Sequence, residues 1–176
     1  MKKISVVHVG QGEFMTGEGE DLVLTTVLGS CVSVCLFDPE RKVGGMNHFL
    51  VPESRSGSLR ESRSGVHAME LLINAIMKAG ARREHLCAKI FGGSRMIDGG
   101  TDIGAMNSRF ALQFIKNEGI RCAGVDVGGT LGRKIRFWPG TGKAQRKFLE
   151  DFVSTEAALL RTRQTTARPF PEVEFF

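Results

Sequence analysis

Apolar residues recur along this chain with two periods, and each change of period marks a new element. Lys3 to Val9 reads as a first strand, and Gln11 to Asp21, rich in Gly, Glu and Thr, as a loop. Val23 to Phe37 is β-branched and apolar, with small residues at Gly29 and Ser30, and Val43 to Val51 is a second apolar run; both read as strands. Between them Asp38-Pro39-Glu40-Arg41 suits a type I turn. Glu53 to Gly65, ESRSGSLRESRSG, holds almost nothing apolar and reads as a mobile connection or a basic flap. Val66, Met69, Leu72, Ile73, Ile76 and Met77 then repeat with helical spacing, with Ser64 as N-cap and Gly80 as the C′ stop.

Cys87 to Phe91 is a short strand. Ile103, Met106, Phe110 and Phe114 mark a second amphipathic helix that ends at Gly119, with Asn107 and Arg109 assigned to its solvated face. Ile120 to Val127 and Arg133 to Trp138 read as strands, and Pro139-Gly140-Thr141-Gly142 as a turn. Phe148, Leu149, Phe152, Val153, Leu159 and Leu160 predict a C-terminal helix over 147–163, followed by an extended RPFPEVEFF. No internal repeat is visible. Strands and helices mix irregularly, which predicts an α+β fold rather than a βαβ array, in a single domain over 1–176 with a variable tail from about 144.

Composition narrows the function classes. The chain has 41% hydrophobic and 24% charged residues, ordinary for a globular protein. Its apolar start breaks at His8, too short for a signal peptide or a membrane span, which predicts a cytoplasmic protein without membrane insertion. Cys31, Cys35, Cys87 and Cys122 follow no disulfide framework and are expected as thiols. The net charge of +5 suits an acidic protein partner better than nucleic acid, since the basic residues are not interleaved with aromatics and tyrosine is absent.

Candidate chemistry centres on Cys31 and His48. An antiparallel hairpin turning at Asp38-Pro39 pairs residues whose numbers sum to about 79, which sets Cys31 opposite His48 on one face. A thiol and an imidazole that share a proton make a nucleophile and its base. Gly29 and Ser30, small residues ahead of Cys31, let a ligand approach backbone N–H groups. Cys35, without such a partner, reads as core.

Two other patterns do not hold. Asp126-Val127-Gly128-Gly129-Thr130 is like the DxGGT phosphate loop of sugar kinases and actin-like ATPases, but too little chain follows it and no P-loop spacing accompanies it. Cys31 and Cys35 would lie about 13 Å apart on one strand, and no CxxC pair exists, so no metal site is expected.

LGSCVSVCLFDP, GGMNHFLVP, AKIFGGSRM, IGAMNSRF and VDVGGTLGRKIRFWPGTGK together resemble the chemoreceptor glutamine deamidase family, CheD, over about Val23 to Lys143. The resemblance implies Cys31 as nucleophile, His48 as base and later acid, and Thr25 as the residue that orients the histidine. On a straight strand Thr25 would lie about 20 Å from Cys31, so that role requires a bend near Leu28-Gly29. Backbone N–H groups around Gly29, Ser30 and Cys31 would form the oxyanion hole. The implied reaction converts receptor glutamines to glutamate with loss of ammonia, with methyl-ester hydrolysis as a companion activity. The implied fold is a β-sandwich with helices outside, related to cytotoxic necrotizing factor-type cysteine hydrolases. Implied partners are chemoreceptors, the methyl-accepting chemotaxis proteins, and a CheC-type phosphatase. Arg55, Arg60 and Arg63, beside the site, would suit an acidic receptor coiled coil. Ser94 stands where the family often has alanine. The rival functions are a catalytically silent docking adaptor and a cysteine peptidase.

Overall fold

The computed structural model describes residues 4–51 and 59–150. Its elements are β1 (Ser5–His8), β2 (Phe14–Glu18), β3 (Leu22–Leu28), β4 (Val32–Asp38), β5 (Val43–Asn47), α1 (Leu59–Lys78), β6 (Cys87–Gly92), α2 (Ile103–Asn117), β7 (Arg121–Val127), β8 (Gly132–Trp138) and β9 (Lys143–Leu149). The strands form two sheets, β1-β3-β8-β9 and β2-β5-β4-β6-β7. Each sheet is mixed, because β1 runs parallel to β3 and β6 parallel to β7 while the other pairs are antiparallel.

The sheets meet across a layer of Leu24, Leu28, Ile135 and Phe137 from one and Cys35, Phe37, Met46 and Phe91 from the other. On the far face of the five-stranded sheet, Val32, Val34, Leu36 and Ile90 meet Met69, Leu72 and Ile76 of α1 and Ile115 of α2. Strand β4 is therefore buried on both faces, which is why apolar residues fill the successive positions Val34 to Phe37 and do not alternate with polar ones. Each such side chain contributes about 1.5–3 kcal/mol by leaving water. The result is an α+β sandwich of mixed sheets, with α1 and α2 on one side.

The run from Val23 to Phe37 is two strands in different sheets, parted at Gly29-Ser30-Cys31. The required bend is thus present. Gly92, at φ +112°, lets β6 pass this crossing, since a Cβ there would stand 2.2 Å from the Cys31 carbonyl oxygen.

The β4–β5 hairpin pairs Asp38 with Val43 and Cys35 with Met46, residues whose numbers sum to 81. The expected register is therefore displaced by two. Asp38 Oδ1 accepts from the N–H groups of Glu40 (2.9 Å) and Arg41 (3.0 Å), and Lys42 closes the loop at φ 53°. A shift of two keeps every side chain on its predicted face, where a shift of one would have reversed them all.

Three further elements differ from the sequence expectation. Strand β2 lies inside the predicted 11–21 loop and pairs with β5. Helix α1 starts at Leu59 rather than Val66, and takes in Arg60 and Arg63, whereas Arg55 lies outside the described residues. Gly65 belongs to that helix because a Cβ there would lie 2.6 Å from the Phe110 ring and 3.0 Å from Val51 Cγ2. Residues 147–149 of the predicted C-terminal helix belong to β9, which the turn at 139–142, with Gly142 at φ 71°, returns along β8. The remainder of that helix and the terminal RPFPEVEFF lie outside the described residues.

Candidate active site

His48 sits one residue beyond β5, and the turn before β2 fixes its backbone. Its N–H donates to Glu13 O at 3.0 Å and its carbonyl accepts from Gly12 N at 2.7 Å. The ring reaches across to the other sheet, where Nδ1 lies 2.9 Å from Thr26 Oγ1 and 3.5 Å from Val9 O. Thr26 Oγ1 in turn donates to Val9 O at 2.7 Å.

These contacts assign the protons. A carbonyl only accepts, and a hydroxyl has one proton to give, so that proton goes to Val9 O and Thr26 Oγ1 accepts from Nδ1–H. Nε2 then carries the ring's lone pair. A neutral imidazole in this tautomer is able to take a proton at Nε2, the nitrogen turned away from Thr26.

The hydroxyl that meets the His48 ring is that of Thr26, whereas Thr25 faces the other way. Thr25 Oγ1 donates to Ile135 O at 2.8 Å, within its own sheet. Successive residues of a strand point to opposite faces, so Thr26 shares the inward face with Leu24 and Leu28, both wholly buried, and Thr25 does not. That alternation was the available signal for Thr26.

Cys31 lies in the layer between the sheets, packed with Val9, Leu24 and Leu28 and 1% exposed. Its loop is held by three successive carbonyls. Gly29 O accepts from Ser94 N (2.9 Å), Ser30 O from Asn107 Nδ2 (2.9 Å) and Cys31 O from Gly93 N (2.8 Å). The next residue, Val32, exchanges both backbone bonds with Phe49, at 3.0 and 2.9 Å.

That bridge fixes how Cys31 and His48 relate. With Val32 opposite Phe49, Cys31 is a diagonal neighbour of His48 and not its direct opposite. Diagonal neighbours share a face, with Cα atoms about 7–8 Å apart and Cβ atoms nearer, within reach of an imidazole. Both side chains enter the seam between the sheets.

Asn107 corrects a further expectation. It is fully buried, and besides holding Ser30 its Oδ1 accepts from Val51 N at 2.8 Å. Its position four residues after Ile103 and four before Ala111 puts it on the inner stripe of α2, and that spacing could have identified it. Arg109 is exposed as expected.

The neighbouring groups have structural explanations. Burial pushes the Cys35 thiol up to about 12, so it stays protonated. The DVGGT segment is a tether: the buried Arg133 guanidinium bonds the Asp126 carboxylate and carbonyl, Gly128 O and Ser94 Oγ, and Arg146 Nε bonds the same carboxylate at 2.7 Å. Ser94, wholly buried, gives its hydroxyl to Leu131 O at 2.7 Å. A cleft of about 580 Å³ includes Gly93, Arg95, Arg109 and Gly128 in its lining, and one of about 330 Å³ includes Val9, Gly12 and Glu13. Neither is lined by Cys31 or His48.

The family model described as CheD chemotactic sensory transduction matches residues 50–148, a span that begins just past His48. A Rhizobium meliloti protein named "Probable chemoreceptor glutamine deamidase CheD" is 47% identical over 174 residues, covering 97% of this chain and 95% of its own. A protein of the same name from Caulobacter vibrioides is 44% identical over 169 residues, 95% of this chain and 88% of its own. Among solved structures, a Neisseria meningitidis protein of the DUF152 family superposes at a TM-score of 0.46 and 15% identity, covering 72% of this chain and 64% of that chain.

Proposed function

The chain belongs to the CheD family, and from that membership we propose that it is a chemoreceptor glutamine deamidase working through Cys31 and His48. The observation that carries the mechanism is the hydrogen-bond relay from His48 Nδ1 through Thr26 Oγ1 to Val9 O, which leaves Nε2 as the base. Nε2 takes the thiol proton, and Cys31 Sγ bonds to the side-chain amide carbon of a receptor glutamine. The carbonyl electron pair moves onto oxygen and is met by backbone N–H groups of the Gly29–Cys31 loop. When that pair returns, the C–N bond breaks and His48 gives its proton to the departing ammonia.

A thioester remains. His48 Nε2 deprotonates water, hydroxide adds to the thioester, and the C–S bond breaks to leave glutamate and the thiol. A glutamate methyl ester reaches the same thioester with methanol leaving instead. The net charge of +5 supports an acidic receptor surface as the docking partner, with Arg55, Arg60 and Arg63 as its candidates and the cytoplasm as the place of action.

The test is ammonia release, with the matching mass change, from a glutamine-bearing receptor cytoplasmic fragment. Intact protein should release ammonia and Cys31→Ala should not. No release from intact protein on several receptors would refute the deamidase and favour a docking adaptor.

A further inference from the structure

We propose that Asn107 is a positioning residue that aims the Cys31 N–H at the oxyanion of the reaction. This role rests on the deamidase assignment above and deepens it. Asn107 is wholly buried and is bonded at both ends, Nδ2 to Ser30 O at 2.9 Å and Oδ1 to Val51 N at 2.8 Å. One side chain thus ties the residue before the nucleophile to the segment that follows the base.

The peptide between Ser30 and Cys31 is planar and trans, so its N–H points opposite to its C=O. Holding Ser30 O on Asn107 therefore directs the Cys31 N–H to the other side of the loop. The bond also polarises the peptide, and a polarised peptide is a stronger N–H donor. The flanking carbonyls, Gly29 and Cys31, are held by the backbone of Ser94 and Gly93, so the middle peptide is the one whose restraint is a side chain.

As Cys31 Sγ bonds to the amide carbon, the carbonyl electron pair moves onto oxygen. A donor already aimed at that position needs no reorganisation at the moment of reaction. Asn107 touches no substrate and acts through the backbone.

The test uses the full chain and four measurements: kcat and KM for ammonia release from a glutamine-bearing receptor fragment, urea stability, and the pH–rate profile of Cys31 alkylation by iodoacetamide. Alkylation uses the thiolate and displaces iodide at a saturated carbon, so it builds no oxyanion. Asn107→Asp keeps the acceptor for Val51 N and removes the donor to Ser30 O, whereas Asn107→Ala removes both. Ile115→Ala, a core deletion on the same helix, controls for lost stability.

Both Asn107 variants should lower kcat about 10- to 100-fold, with KM and the alkylation profile unchanged. Ile115→Ala should keep kcat. Unchanged kcat in the Asn107 variants, an equal loss in Ile115→Ala, or alkylation slowing in step with kcat would each overturn the role while leaving the deamidase intact. Absence of ammonia from the unmutated protein would overturn both.

Discussion

Thr26→Val removes one oxygen and keeps a β-branched side chain of the same outline, so its effect reads the two hydrogen bonds of that oxygen. Val9 O loses a donor at 2.7 Å and His48 Nδ1–H loses an acceptor at 2.9 Å. The two orphaned groups stand 3.5 Å apart and can partly satisfy each other, so the losses merge. Stability should fall by about 1–3 kcal/mol, the cost of one poorly satisfied buried pair. The reaction loses more specifically, because the imidazolium formed when His48 takes a proton donates from Nδ1 as a charged group. Losing about 1.5–3 kcal/mol there corresponds to about 10- to 160-fold in kcat. Thr25→Val is the matched comparison, since its hydroxyl bonds Ile135 O and does not touch the ring. It should cost about 1 kcal/mol of stability and leave kcat nearly unchanged. The assay is ammonia release under saturating receptor fragment, with urea unfolding alongside. A larger kcat loss in Thr25→Val than in Thr26→Val would refute the assignment and restore Thr25 as the orienting residue.

Other outcomes follow from the same structure. Burial opposes ionisation of Asp38, but the N–H groups of Arg82, Arg41 and Glu40 outweigh it and hold the carboxyl below its ordinary value. A lowered folded value contributes stability in full above the unfolded value of about 3.9 and loses it as pH falls through the folded value. Urea midpoints should therefore drop on acidification below that range, and Asp38→Asn should flatten the drop; an unchanged slope in the variant would contradict it. Peptide mapping after iodoacetamide treatment near neutral pH should find exposed Cys122 modified and Cys35, buried and raised to about 12, untouched. Arg133→Leu should cost about 3 kcal/mol in urea unfolding, because it removes a buried guanidinium bonded to the partly exposed Asp126 and Gly128 and to the buried Ser94, and a loss under about 1 kcal/mol would show the tether to be dispensable.

The parts of the fold legible in the sequence are those where burial leaves a simple pattern. Strand β4 is covered on both faces and announces itself as an apolar run, and the stripes of α1 and α2 follow from their sheet-facing positions. The hairpin register was not legible because Asp38-Pro39 is compatible with a tight turn, and nothing about Lys42 signals the positive φ that lengthens the loop. Parity rescued the site, since a displacement of two leaves Cys31 and His48 on one face. Strand β2 is half exposed and glycine-containing, so no apolar alternation marks it. Gly65 reads as a helix breaker, yet it stays helical because Phe110 needs the room. Asn107 and Thr26 are polar residues on inward faces, where residue type suggests solvent and only spacing from apolar neighbours says otherwise.

The loop of Cys31 takes its shape from partners that come much later in the chain. Asn107 lies 77 positions beyond Ser30, and Gly93 and Ser94 also belong to segments made long after the thiol. A ribosome adding about 5–20 residues per second produces Asn107 some 4–15 s after Ser30. Until then the growing chain has no Asn107 to hold Ser30 O, and on the role proposed above the Cys31 N–H is not yet aimed. On the mechanism proposed above, deamidation of a bystander glutamine would thereby be withheld from the unfinished protein, with completion of α2 as its safety catch.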